Sequence, residues 1–261
     1  MPTWVDTHGH LADEAFANDV EQVIEHAQSA GVTRMMCIGT TLASSRASLQ
    51  LAEHYPSVWA SVGIHPNHAA EAQATDWSQI ETLASQQRVK AIGETGLDRH
   101  WDNTPFPLQE TYFQKHLQLA RKVQKPLVIH CREADADVQR MLEADYQAYG
   151  SVKGVMHSFT GDWRLAEATL AMGLYISFAG MLTYKNAANL REIASKLPRE
   201  RVPLETDCPY LVPVPKRGHV KRNEPAHMIH TAACLANVWQ VTLDQVADQT
   251  TANACQLFEL E

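Results

Sequence analysis

Two histidines one residue apart follow an apolar start near the N-terminus, His8 and His10 in "WVDTHGHL". Side chains two residues apart in a β-strand point to the same face, so a strand starting at Trp4 would present both imidazoles together. Neutral imidazoles can share a cation, and imidazole is the commonest metal ligand. For this motif alone, two unrelated polar residues at a strand end are an equally good interpretation.

Histidines and acidic residues recur at the ends of later apolar runs. They are His65 in "GIHP", Glu94 and Asp98 in "AIGETGLD", His130 and Arg132 in "PLVIHCREA", His157 in "GVMHSF", and Glu205 and Asp207 in "PLETDC". A barrel interior favours apolar side chains, and unpaired polar groups there are costly. The repetition therefore predicts a shared functional cluster rather than chance.

Eight predicted strand–helix units carry these residues. The amino-acid composition does not change from one unit to the next. This alternation predicts a parallel sheet, and eight units in 261 residues favour one single-domain (β/α)8 barrel of the TIM type over residues 1–261. The strand ends would then converge on the C-terminal mouth. An open doubly wound sheet is the alternative, but the sequence has neither GxGxxG after its first strand nor GxxxxGK[ST]. We expect the first helix at about 16–30 and the eighth strand in "VPLETDCPY".

Six of these side chains form a predicted set of metal ligands: His8, His10, Glu94, His130, His157 and Asp207. Six ligands exceed the needs of one four- or five-coordinate ion but suit two ions about 3.5–4 Å apart, bridged by a carboxylate. We expect Glu94 to be the bridge, with one ion held by His8, His10, Glu94 and Asp207 and the other by Glu94, His130 and His157. The cofactors would be two divalent ions, Zn, Mn or Mg.

Composition and charge limit the partners. The formal net charge of −8 differs from the basic character expected of a protein that wraps duplex DNA. Bound cations would add local positive charge, so a phosphate-bearing substrate is compatible with this net charge.

No apolar run is long enough to span a bilayer, and the start lacks the pattern of a secretory signal, which predicts a cytoplasmic protein. Five scattered cysteines without a CxxC pair predict free thiols.

A basic stretch follows the last predicted strand, in "PVPKRGHVKRNEPAH". Lys216, Arg217, Lys221 and Arg222 would lie on a loop at the mouth. They could position phosphates without reading bases. A solvated run of charges is an equally good interpretation.

The assembled motifs resemble the TatD family of metal-dependent deoxyribonucleases, within the amidohydrolase-like barrels. The motifs are "DTHGHL", "GIHPN", "AIGETGLD", "PLVIHCREA", "GVMHSFTG", "YISFAG", "LETDCPYL" and "KRNEPAH", in this order along nearly the whole chain. One departure is Gly9, where the family often has cysteine. A side chain at this position should point away from the metals, so we expect no loss of metal ligation.

The resemblance implies a barrel with a two-metal site made by the same six ligands, and it implies that His65 and Arg132 lie close to a bound phosphate. The expected activity is metal-dependent hydrolysis of DNA phosphodiesters, as an exonuclease on single strands or strand ends. Asp207, together with the bridging Glu94, would be catalytic, because Asp207 could orient a water and accept its proton. Glu205 is either a support for this site or a buried structural carboxylate.

Two other classes of function stay open. One is hydrolysis of an amide or ester bond, for example in an aminoacyl-nucleic-acid deacylase. Many such barrels bridge their metals with a modified lysine, so Glu94 favours the nuclease. The other is a non-enzymatic binding protein, against which the complete ligand set argues.

Overall fold

A computed structural model describes residues 2–260. Across these residues, seven parallel strands form one sheet in which each strand pairs with the next along the chain. The strands are β1 (Trp4–Gly9), β2 (Val32–Cys37), β3 (Val58–Val62), β4 (Val89–Asp98), β5 (Leu127–Arg132), β6 (Gly154–Met156) and β7 (Tyr175–Ile176). The predicted α/β barrel class is confirmed.

The eighth position of the barrel is held by residues 204–208, which do not form a regular strand. Isolated parallel bridges join Phe178 to Leu204 and Gly9 to Cys208, on the two sides of this segment. The amide of Asp207 also donates to the carbonyl of His8 at 2.8 Å. Asp207 has a φ of 55°, in the left-handed region, and this interrupts the extended backbone that a regular ladder requires. The expectation of a regular eighth strand in "VPLETDCPY" is therefore wrong, although the segment lies where that strand was expected.

Helices connect the strands. In the part of the chain that the structure describes there are nine: α1 (Val20–Ser29), α2 (Leu42–His54), α3 (Asp76–Ala84), α4 (Phe106–Val123), α5 (Asp135–Tyr149), α6 (Trp163–Ala171), α7 (Ala188–Lys196), α8 (Met228–Trp239) and α9 (Leu243–Phe258). Helix α1 starts four residues later than expected, because residues 14–16 form a separate 3-10 turn capped by Asp13. None of the helices within residues 2–260 is both long and apolar enough to cross a membrane.

Buried apolar side chains fill two regions. The larger one lies between the sheet and the surrounding helices. The smaller one fills the barrel interior with side chains from the N-terminal parts of the strands, such as Val5, Trp59 and Val128, and Leu257 and Phe258 of α9 cover its lower end. Apolar residues occupy that end of the interior, and the buried polar side chains His8, Glu94 and His157 lie at the opposite, C-terminal end of the strands.

Candidate metal centre

The histidines and carboxylates predicted as ligands meet at the C-terminal mouth of the barrel. At the end of β1, the Nε2 atoms of His8 and His10 lie 3.3 Å apart. His157, which follows β6, stacks on His8 with ring centroids 3.9 Å apart and planes 9° from parallel. Burial, and then the proximity of His157, lowers the pKa of His8. A neutral His8 leaves a nitrogen lone pair available to a cation.

The carboxylate of Glu94 lies at the centre of the cluster. Its Oε1 is 2.8 Å from His157 Nε2, 3.1 Å from His130 Nδ1 and 3.3 Å from His65 Nε2. Its Oε2 is 3.4 Å from His8 Nε2 and 3.8 Å from His10 Nε2. The two oxygens therefore face two different groups of imidazoles, which is the arrangement expected of a bridging carboxylate.

Close packing of β4 against β5 makes this position of Glu94 possible. Gly96 pairs with His130 and has a φ of 141°, a conformation that side-chain-bearing residues rarely adopt. A Cβ atom on Gly96 would lie only 1.9 Å from the His130 carbonyl oxygen. Glycine is thus required for β4 to approach β5 at the level of the cluster.

Asp207 completes the cluster from the segment between β7 and β1. Its Oδ1 is 3.3 Å from His10 Nε2 and 3.6 Å from His8 Nε2. Burial alone would raise the pKa of Asp207, but its contact with His10 and the proximity of His8 lower it. The same competition holds the pKa of Glu94 well below its usual range, chiefly through His157 and His65. Both carboxylates are anionic at neutral pH.

The donor atoms fit divalent metal ions. Among residues 2–260, three groups of possible ligand atoms have all their members within 4.8 Å of one another: His8, His10 and Asp207; His8, His157 and Glu205; and His65, Glu94 and His130. Mixed imidazole and carboxylate donors suit Zn and Mn. Two buried anions among several imidazoles would also be compensated by cations, which fits the requirement that buried charges be paired.

A second layer of polar residues fixes the candidate ligands. Asp98 Oδ2 accepts a hydrogen bond from His130 Nε2 at 2.9 Å, while His130 Nδ1 faces Glu94. Glu205 accepts from the Ser158 amide at 2.5 Å and the Ser177 hydroxyl at 2.6 Å, and its Oε1 lies 3.6 Å from His157 Nδ1. Glu205 is fully buried and hydrogen-bonded.

Two further buried polar residues, Asp6 and His116, were assigned no role from the sequence. Asp6 accepts from the Thr206 amide at 2.9 Å and from the His8 amide at 3.2 Å, so it ties β1 to residues 204–208. Burial raises the pKa of Asp6 to about 7. His116 of α4 accepts from the Ile64 amide at 3.0 Å and contacts the Tyr112 carbonyl at 2.6 Å. The position of Asp6 in "DTHGH", two residues before His8, could have indicated its role. No sequence pattern indicated the role of His116, because its partners are set by tertiary packing.

The predicted phosphate contacts His65 and Arg132 differ in their surroundings. His65 is buried against Glu94, and its Nδ1 accepts from the Asn67 amide at 3.1 Å, so its proton resides on Nε2. Burial lowers its pKa to about 4, which makes the ring neutral at pH 7. Arg132 is exposed at the end of β5, with its guanidinium 5.7 Å from the ring centroid of Trp101.

The four basic residues after residue 208 divide into two kinds. Arg217 and Lys221 are exposed and Lys216 is half-buried, with Arg217 placed 4.1 Å from the Tyr184 ring centroid. Arg222 instead bonds Asp19 at 2.5 Å and Glu224 at 3.3 Å and donates to the Ala15 carbonyl. Arg222 thus anchors the loop to the region of α1, and the other three cations are the ones available to a ligand.

Comparison with known proteins gives consistent results. The family model for TatD-related DNases matches residues 5–259. The uncharacterized metal-dependent hydrolase YabD of Bacillus subtilis is 37% identical, covering 98% of each chain. The 3'-5' ssDNA/RNA exonuclease TatD of a Pantoea species is 36% identical, covering 96% of this chain and 97% of its own. The crystal structure of YjjV, a TatD homologue of Escherichia coli, superposes with a TM-score of 0.91 at 27% identity, covering 99% of this chain and 98% of its own.

Proposed function

Because the chain belongs to the family of TatD-related DNases and is a metal-dependent hydrolase, we propose that it cleaves phosphodiester bonds of single-stranded nucleic acid, as an exonuclease on DNA. The observation that carries this proposal is the Glu94 carboxylate, whose two oxygens face separate groups of imidazoles. Relatives named as 3'-5' ssDNA/RNA exonucleases support the substrate class.

We assign the metal ligands as two sets that share Glu94. His8, His10, Glu94 and Asp207 would hold one divalent ion, and Glu94, His130 and His157 the other. When bound, two such ions supply Lewis-acid stabilisation of phosphoryl oxygens and lower the pKa of a nearby water. The donor set is compatible with Zn, Mn or Mg, with Zn and Mn preferred by the imidazoles.

Asp207 is the proposed proton acceptor. Its carboxylate is anionic and has a side chain 14% exposed, so one edge reaches the solvent at the mouth. Its backbone is fixed by the bond from its amide to His8, which keeps the carboxylate beside the ligands. In this position Asp207 can orient an attacking water and accept its proton.

Cationic and neutral donors around the mouth would position the phosphate chain. Arg132, Lys216, Arg217 and Lys221 supply positive charge, and His65 borders the site as a neutral ring whose Nε2–H faces Glu94. Such contacts fix the register of a nucleic acid without sequence selection. Arg222 contributes indirectly, because its ion pair with Asp19 holds the loop that carries the other cations.

The proposal is tested with metal-stripped protein reloaded with Zn, Mn or Mg and offered single-stranded DNA, single-stranded RNA, duplex DNA, and an amide and an ester. We expect metal-dependent release of nucleotides from single strands, fastest on DNA. Asp207→Asn should lower kcat strongly, with little change in affinity for single-stranded DNA. Ready cleavage of the amide or ester with nucleic acid left intact would overturn the nuclease assignment in favour of the amidohydrolase alternative.

The basic loop is tested by its salt dependence. Lys216→Gln, Arg217→Gln and Lys221→Gln combined should weaken DNA binding equally for all base sequences. The slope of log affinity against log salt should flatten by about 0.7 for each lost contact on single strands. Lys122→Gln with Arg140→Gln is the matched control, because these exposed cations lie on the outer helices α4 and α5. An unchanged slope in the triple variant would remove the loop from the binding surface.

A further inference from the structure

Large aromatic side chains are unusually exposed on two sides of the metal centre. Over residues 2–260, the exposed large apolar side chains are Trp101 at 50%, Tyr146 at 41%, Tyr149 at 65%, Tyr210 at 54% and Val214 at 46%. Trp101 lies three residues after the end of β4, and Tyr210 lies two residues after residues 204–208. Both lie at C-terminal strand ends, where the metal ligands lie.

Trp101 is attached directly to the ligand layer. Its amide donates to Asp98 Oδ1 at 3.0 Å, and the other oxygen of Asp98 accepts from His130. The Arg132 guanidinium lies 5.7 Å from its ring centroid. This pairing places a flat apolar surface beside an exposed cation, which is two residues after the proposed ligand His130.

Tyr210 is attached in the same way on its own side. Its amide donates to the Asp207 carbonyl at 2.9 Å, and its ring centroid lies 5.9 Å from that of His10. Its hydroxyl is 3.4 Å from Asp13 Oδ2, which limits rotation of the ring. The loop that continues from Tyr210 carries Lys216 and Arg217, so cations are close to it along the chain.

The two aromatic side chains lie across the mouth from each other. The sheet runs in order from β1 to β7, and residues 204–208 bridge both β7 and β1. Three strands, β5 to β7, therefore separate β4 from this segment on one side, and β1 to β3 separate them on the other. Trp101 and Tyr210 consequently stand at opposite edges of the barrel mouth, with Glu94 and its imidazoles between them.

We propose that Trp101 and Tyr210 are base-stacking side chains that hold a single-stranded nucleic acid across the mouth, one on each side of the bond to be cleaved. This inference rests on the proposed nuclease function and adds a positioning role for two residues. Stacking on an aromatic ring accepts any base, since every base has a π-face, so the contacts would be sequence-independent. Bases inside a duplex are already stacked on each other, and these side chains would therefore favour single strands.

Binding measurements separate stacking from every other contact. The metal-loaded protein is titrated with a labelled oligothymidylate containing phosphorothioate linkages, which resist hydrolysis, and with an abasic oligomer of the same backbone and length. We expect Trp101→Ala and Tyr210→Ala each to weaken oligothymidylate binding about tenfold, or ~1.4 kcal/mol. Binding of the abasic oligomer should hardly change. Trp101→Phe and Tyr210→Phe should restore most of the affinity, because a flat ring remains.

Tyr149→Ala is the matched control. Tyr149 is the most exposed of these aromatics, but it ends α5, and helices that return between parallel strands end at the opposite side of the barrel. This variant should bind both oligomers like the wild type. Steady-state hydrolysis gives a second measurement: the alanine variants should raise KM for single-stranded DNA and leave kcat within a few-fold, as expected for lost positioning contacts.

Two results would overturn the stacking role: an equal loss of affinity for both oligomers, or no loss for the oligothymidylate. Failure of the nuclease proposal would look different, because the wild type would then hydrolyse no nucleic acid under any metal. The binding comparison would still report on Trp101 and Tyr210 in that case.

Discussion

The replacement of Asp98 by asparagine should weaken one metal site selectively. Asp98 accepts four hydrogen bonds: from the His100 amide at 2.8 Å and the Trp101 amide at 3.0 Å on Oδ1, and from His130 Nε2 at 2.9 Å and Asn67 Nδ2 at 3.2 Å on Oδ2. All four partners are donors when His130 carries its proton on Nε2. An asparagine amide in either orientation must therefore turn its NH2 group toward two donors, although its size is almost unchanged.

The magnitude follows from these contacts. A hydrogen bond to a charged group is worth about 1.5–3 kcal/mol, and a partner that orients a metal-bound histidine typically accounts for about 10–100-fold in metal affinity. We therefore expect Asp98→Asn to weaken the ion assigned to Glu94, His130 and His157 by about 10–100-fold. The ion assigned to His8, His10, Glu94 and Asp207 should change by much less.

The assay is a competitive titration of metal-stripped protein with Zn²⁺ and a chromophoric chelator, which gives two dissociation constants. Asp162→Asn is the control, because the exposed Asp162 carboxylate accepts only from the Leu165 amide at the start of α6 among the hydrogen bonds described, and asparagine is an equally good N-cap. The reasoning is refuted if both constants of Asp98→Asn equal those of the wild type, or if both ions weaken by the same factor.

Three further outcomes are expected. Glu94→Gln should lose both ions, measured by elemental analysis of the purified variant; retention of two ions per chain would refute the bridging assignment. Burial lowers the pKa of His116 to about 4 from 6.5, so its neutral form contributes stability that is full above pH 6.5 and is lost as the pH falls toward 4, by ~3 kcal/mol. Urea unfolding across this range should show a smaller loss in His116→Gln, whose amide oxygen can still accept from Ile64, and equal losses would exclude His116 as the cause. All five cysteines should be alkylated in protein unfolded without reductant, in agreement with the free thiols of the structure, and a reproducible disulfide would contradict this.

Local patterns in the sequence were sufficient for the fold class and for the membership of the cluster. Apolar runs alternating with amphipathic segments depend on nearest-neighbour periodicity, and this predicts parallel βα units. Once the strands are parallel, residues at their C-terminal ends must converge, whatever the details of packing. His8, Glu94, His130 and Asp207 were found for this reason, although they are spread over about 200 residues of sequence.

Only the tertiary structure decided how these residues are arranged. The division of the Glu94 oxygens between two groups of imidazoles depends on the register of β4 and β5 and on the close approach at Gly96. The left-handed backbone of Asp207 breaks the eighth strand, and no local propensity indicated it. Arg222 pairs with Asp19, 203 residues earlier, and the pairing removes it from the free cations of the loop. These features arise from contacts between residues distant in the chain, whose geometry is set by packing and not by local sequence.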